Sequence, residues 1–123
     1  MAEVSARFSA TRDAPRTARH FMTDALVGWG YGGSLMQDAQ LVVAELASNA
    51  VVHARSSFSA AARAEPFGVR ISVHDASPVT PTVRENDPIA LSGRGLRLVA
   101  AIAADWGVDI TPDGKVVWAE LRA

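Results

Sequence analysis

Three polar residues with chemical potential stand four positions apart in the middle of the chain. Glu45, Asn49 and His53 occur in a segment whose other residues are mostly apolar. On an α-helix this spacing offsets successive side chains by about 40°, so the three residues line one polar stripe. Such a stripe beside a core face either borders a cleft that binds a ligand, or is a partly exposed helix edge with a hydrogen-bonded Asn.

Two later segments carry groups that suit a nucleotide. Asp75 follows an alternating segment at 67–73, and its carboxylate could accept a hydrogen bond from an exocyclic amine such as that of adenine, or only cap a turn. Gly93-Arg94-Gly95-Leu96 ends a long loop and starts a predicted helix. Glycines there let the backbone approach a phosphate, and the free N–H groups and the guanidinium can donate to it. The same glycines could also serve only to turn the chain.

The hydrophobic pattern predicts the elements that position these groups. A Ser34–Gln37 capping box opens the helix that carries the polar stripe. The predicted elements are a strand at 4–9, helices at 16–27 and about 35–53, a hairpin at 58–64 and 67–73, a loop at 75–94, a helix at 95–104 and a hairpin at 106–111 and 116–121. This order predicts an α/β two-layer sandwich, with helices on one face of a mixed, mostly antiparallel sheet.

Composition narrows the class of protein. A chain of 123 residues predicts a single domain over 1–123, and a net charge of −1 argues against direct binding of nucleic acid or anionic membranes. The absence of cysteine excludes disulfides and a thiol nucleophile. No signal-peptide segment is present, and the longest apolar stretch, 96–104, is too short to cross a bilayer. A cytoplasmic location is therefore predicted.

The histidines and tryptophans have a simpler interpretation than a binding site. His20, His53 and His74 fall on separate predicted elements without ligand spacing, which argues against a metal site built from them. The tryptophans are expected to pack in the core or on the terminal hairpin; they are Trp29, Trp106 and Trp118.

Four segments, taken in order, resemble the GHKL superfamily, the group of gyrase, histidine kinases and related ATPases with the Bergerat ATP-binding fold. These segments are ELASNAVVH at 45–53, DASP at 75–78, GRGL at 93–96 and GKVVWAEL at 114–121. The resemblance covers nearly the whole chain. It is closest to the small single-domain branch, the anti-sigma-factor serine/threonine kinases of the RsbW and SpoIIAB type.

The resemblance implies a role for each motif. Asn49 would ligate Mg²⁺, and Glu45 would be the general base that takes a proton from the attacking hydroxyl or water. Asp75 would bind the adenine of ATP, and residues 76–93 would form a lid that is disordered without nucleotide. The GRGL segment, Gly93 to Leu96, would lie at the phosphates. His53 matches the branch as well, either as a ligand contact or as a hydrogen-bonded residue at the helix end.

The chain departs from the superfamily at two places. Asp75-Ala-Ser-Pro78 replaces a glycine-containing motif, which stiffens that edge of the pocket. In the last hairpin a Thr usually helps to hold the adenine, and the resemblance places Val116 or Val117 there. Loss of that hydroxyl would weaken ATP binding by about 1 kcal/mol or more.

Two functions are consistent with the resemblance. The first is an ATP-dependent protein serine/threonine kinase that regulates transcription through a sigma factor or an anti-sigma-factor antagonist, without contacting DNA. The second is a nucleotide-gated protein-binding module with little or no phosphotransfer. Members of this branch commonly dimerise, so a homodimer is also expected.

Overall fold

A computed structural model describes the protein over residues 2–77 and 91–123. Its elements are β1 (Glu3–Phe8), α1 (Ala14–Gly28), α2 (Gly33–Asn49), a π-helical turn (Ala50–Ala54), β2 (Phe58–Glu65), β3 (Gly68–Asp75), α3 (Leu91–Ile102), β4 (Asp105–Thr111) and β5 (Gly114–Arg122). The predicted order of strands and helices is confirmed. Most of the predicted lid, residues 78–90, lies outside the described residues.

One five-stranded sheet forms the base of the molecule. Its strand order is β1-β2-β3-β5-β4, and all four pairings are antiparallel, so the parallel pair that a mixed sheet needs is not found among these strands. Alternate residues of β3 and β5 are buried on one face, as the predicted alternation requires. The buried residues of these two central strands are Val69, Ile71, Val73, Asp75, Lys115, Val117, Ala119 and Leu121.

The helices pack on the buried face of this sheet. α1 packs against α2, and α2 in turn contacts α3, β3 and β5. Phe58, Met22, Leu26, Leu46 and Ile71 are the largest side chains of the resulting core. The two-layer α/β sandwich is therefore confirmed, and α2, which carries Glu45 and Asn49, lies directly over the central strands.

The start of α2 differs from the prediction. The helix begins at Gly33 with Gly32 as its N-cap, and no side chain caps it. Ser34 is thus already inside the helix, so the predicted Ser34–Gln37 capping box does not form. The reason lies in the glycines: Gly30 and Gly33 adopt φ values of +85° and +63°, and the chain turns through them.

The end of α2 also differs. The α-helix ends at Asn49 and continues as a π-helical turn over Ala50–Ala54, whereas the prediction extended it to His53. Arg55, in the left-handed conformation with φ 52°, follows the turn. In the part of the chain that is described, no helix has the length and apolarity to span a membrane.

The turn of the last hairpin makes a close backbone contact with β3. Gly114 has φ +155°, and a Cβ atom at this position would lie 1.9 Å from the carbonyl oxygen of Asp75. No side chain could move aside to relieve this contact, because the opposing atoms belong to the backbone.

We expect Gly114→Ala to destabilise the protein by about 2 kcal/mol or more, because it adds this overlap to an unfavourable φ. Gly28→Ala is the matched control, since a Cβ there meets nothing within 4 Å. The control should be neutral or stabilising by about 0.5–1 kcal/mol. Urea unfolding of both variants measures the two effects; equal stabilities would contradict the close contact.

Candidate functional site

The carboxyl-terminal end of α2 carries the first half of the candidate site. Glu45 and Asn49, one helical turn apart, are both partly buried. The amide nitrogen Nδ2 of Asn49 is buried and makes no hydrogen bond with any described residue. A buried donor without a partner costs about 1–3 kcal/mol, so such an atom calls for a partner beyond the described residues.

The π-helical turn separates His53 from this pair. His53 lies in this turn and not in the α-helix that carries the pair, so the α-helical offset of about 40° does not describe its position. The His53 side chain is exposed. Single π-helical turns are frequent at functional sites, and this one begins directly after Asn49.

The end of β3 carries the second half of the site. Asp75 is the last residue of this strand, whereas the prediction ended the strand at Val73 and began the loop at Asp75. Its side chain points to the helix-covered face. Only 3 % of its side chain is exposed. Its Oδ1 accepts hydrogen bonds from the Lys115 ammonium, at 2.9 Å, and from the Ser77 backbone N–H, at 2.8 Å. The carboxylate is therefore both buried and paired.

Lys115 is a residue of the site that the sequence analysis missed. It lies directly opposite Asp75 in the β3–β5 register, and its side chain is 7 % exposed. Its Nζ also donates to the carbonyl of Ser77, at 3.2 Å. The signal was present in the alternation of β5, since Lys115 has the parity of the buried Val117 and Ala119.

The same alternation shows where Val116 and Val117 lie, the two valines that the resemblance assigns to the adenine-binding position. Val116 pairs with His74 and has the parity of the face opposite the helices, while Val117 pairs with Val73 in the core. The hairpin side chain that contacts the Asp75 carboxylate is that of Lys115.

The glycine motif lies within a helix. α3 begins at Leu91, four residues before the predicted start at Gly95, so Gly93 and Arg94 belong to the helix and do not precede it. Leu96 is fully buried in the core. The structure thus brings Glu45 and Asn49 onto the helix layer above β3, at whose end Asp75 lies, while the side-chain geometry of Arg94 is not part of this description.

A polar cluster lies behind Asp75, on the other face of the sheet. The Thr111 hydroxyl donates to Asp113 Oδ1 at 2.9 Å, and His74 Nε2 lies 3.3 Å from the same oxygen. Chiefly through the Thr111 hydrogen bond, and less through His74, the pKa of the exposed Asp113 carboxyl is held below its usual value. The stability that this adds is present above the ordinary Asp pKa and is lost as pH falls through the lowered one.

The comparisons with known proteins agree with this architecture. The family model of the histidine kinase-like ATPase domain matches residues 8–121. The chain belongs to the histidine kinase-like ATPase family. A solved structure of the RsbU and RsbW domains of Rv1364c from Mycobacterium tuberculosis matches this ATPase domain with a TM-score of 0.74 at 21 % identity. The match covers 99 % of this chain and 32 % of that one, so the ATPase domain spans about a third of its length. A search of curated protein sequences gives no significant match.

The side chains of the ATPase domain can be tested against the nucleotide and Mg²⁺ that the family implies. The unpaired amide of Asn49 fits, because it offers a donor to a phosphate and an oxygen to a cation. Among the described residues no group of three or more His, Cys, Asp or Glu could hold a metal, and Mg²⁺ bound with a nucleotide needs only one or two protein oxygens. Asp75 fits only together with Lys115, which already donates to it.

We expect the Asp75–Lys115 pair to behave as a unit in unfolding. Lys115→Met leaves a buried carboxylate without its counter-ion and should cost about 3–5 kcal/mol. The double variant Asp75→Asn with Lys115→Met removes both charges and should recover most of that loss. Urea unfolding of the two single variants and the double variant gives the coupling energy; strictly additive losses would show that the two groups do not interact.

The pKa of Asp113 should respond to its hydroxyl partner. Thr111→Val removes the strongest influence and should raise the pKa of Asp113 toward its ordinary value, whereas His74→Gln should raise it less. NMR titration of the Asp113 carboxyl carbon measures both shifts. A larger rise in the His74 variant would contradict the assignment of the cause.

Proposed function

We propose that residues 1–123 form a single ATP-binding domain that, with Mg²⁺, acts as an anti-sigma-factor-like protein serine/threonine kinase. The observation that carries the proposal is the buried, unpartnered amide of Asn49 on a family-matched helix. A binding site for a charged ligand at the end of α2 gives this amide the partner that the described chain lacks.

Each site residue has a role in this proposal. When bound, Mg·ATP would supply the phosphoryl group, and its Mg²⁺ would neutralise negative charge on the phosphates. The Asn49 amide oxygen holds the cation, and the Glu45 carboxylate accepts the proton of the attacking hydroxyl. Asp75 binds the adenine amine, and the segment from Gly93 to Leu96 lies at the phosphates, with His53 at the rim.

The partner proposed for this domain is another protein. The named RsbW domain of the structural neighbour shares the fold of this chain. By that likeness we propose partner switching in the cytoplasm with a sigma factor, an anti-sigma-factor antagonist or both, and assembly as a homodimer. Transcription would then be regulated without contact to nucleic acid or membrane.

The second candidate function is nucleotide-gated protein binding without phosphotransfer. The sequence favours it through Val116 and Val117, which stand where the resemblance expects a Thr that helps to hold the adenine. In this case the nucleotide shifts the population of a partner-binding state, and Glu45 has no chemical role.

Asn49→Ala should weaken the binding of Mg·ATP at least about tenfold, because it removes the amide contact to a charged ligand. Calorimetric titration with Mg·ATP, and with ATP in the presence of a chelator, measures the loss and its dependence on the cation. Gln37→Ala is the matched control: it lies on the same helix, exposed and 12 residues away, which is about 18 Å along the axis. Equal affinity of all three proteins would refute the assigned site.

Glu45→Gln separates the two functions. We expect this isosteric variant to bind Mg·ATP with the wild-type affinity and to release phosphate from γ-labelled ATP about 10²-fold more slowly or worse, because a general base is lost. Water is the acceptor in this assay, so no protein substrate is needed. Wild-type binding with no phosphate release in either protein would favour the nucleotide-gated module.

A further inference from the structure

We propose that Lys115 is a base-recognition residue, which donates a hydrogen bond to the ring acceptor beside the exocyclic amine of the purine. This inference rests on the proposed nucleotide binding and deepens it. In this site the base meets a composite edge formed by the Asp75 carboxylate and the Lys115 ammonium, not a lone carboxylate.

The backbone fixes the two groups side by side. Asp75 ends β3, Lys115 lies opposite it near the start of β5, and both have the parity of the helix-covered face. Gly114 holds the hairpin against the carbonyl of Asp75, since even a Cβ atom would not fit between them. Strand register thus brings the two side chains together, and Nζ lies 2.9 Å from Oδ1.

The pair keeps unused hydrogen-bonding capacity. An ammonium has three donors, and Lys115 directs two of them to Asp75 Oδ1 and the Ser77 carbonyl. A carboxylate has about four acceptor sites, and the two hydrogen bonds described for Asp75 both go to Oδ1. One donor and further acceptor sites are therefore left for a ligand.

The base is expected to meet the pair intact. If the amine of a base displaced Lys115 from Asp75, the ammonium would be left unpaired in a buried position. Breaking a buried ion pair in this way costs more than one hydrogen bond from an amine to a carboxylate returns. Lys115 therefore stays in place and takes part in recognition.

The edge of a purine complements this pair. Adenine carries a donor, its N6 amine, next to an acceptor, its ring N1, and these match an acceptor and a donor placed side by side. On the same face Ile110 pairs with Lys115 and is 57 % exposed, so it offers apolar surface to a flat ring. A 6-oxopurine presents the reverse order, an acceptor O6 beside a donor N1–H, and the experiment distinguishes the two bases.

The test compares ATP with 1-deaza-ATP, in which a C–H replaces the ring N1 while the amine remains. Wild-type protein should bind ATP at least tenfold more tightly by calorimetric titration, because only ATP accepts from Lys115. The double variant Asp75→Asn with Lys115→Met keeps an acceptor for the amine and leaves no buried charge. Its affinities for the two nucleotides should agree within about twofold. A cooperative thermal unfolding transition is the check that this variant is folded.

The outcomes separate this inference from the function on which it rests. The role of Lys115 would be overturned, while nucleotide binding stands, by either of two results. The double variant could prefer ATP over 1-deaza-ATP as strongly as the wild type does, or Lys115→Met could bind ATP more tightly than the wild type. Failure of wild type and variants to bind any purine nucleotide would overturn both. GTP bound more tightly than ATP by the wild type would also overturn the proposed contact while purine binding stands, because N1 of a 6-oxopurine carries a donor and not an acceptor.

Discussion

The packing of α2 across the middle of the sheet is the contact on which the rest of the structure depends. α2 contacts β3 and β5, and the apolar residues of these strands form the core beneath it. Because strand side chains alternate between two faces, one row of residues serves both the core and the site. The row on β3 runs through Val69, Ile71 and Val73 and ends at Asp75. The carboxylate is thus buried for the same reason as the valines, and it needs a counter-ion.

That need accounts for Lys115. A buried carboxylate is tolerated only when it is paired and hydrogen-bonded. The neighbouring strand supplies the ammonium at the position directly opposite, and the Ser77 N–H supplies a second donor. The site is a continuation of the core in which charges take the place of methyl groups.

Periodicity made the architecture predictable. The alternation around Val69 to Val73 and the Pro112–Gly114 turn signal sufficed to place β3 and the last hairpin. The first residues of helices were less predictable where glycines allowed more than one backbone conformation, as at Gly33 and at the start of α3. The π-helical turn after Asn49 had no signal, since neither Gly nor Pro marks it. Lys115 was missed because its role depends on register with a distant strand.

Because of the close contact at Gly114, substitutions at positions 114 and 115 have different structural consequences. The turn and the end of β3 touch through backbone atoms, so the position accepts glycine and little else. The next residue contributes only a side chain to the site, and that side chain can be exchanged without moving the hairpin. Under the proposed role of Lys115, base preference in such a domain can diverge through paired substitutions at positions 75 and 115, which leave no buried charge unpaired, while the backbone of the hairpin stays unchanged.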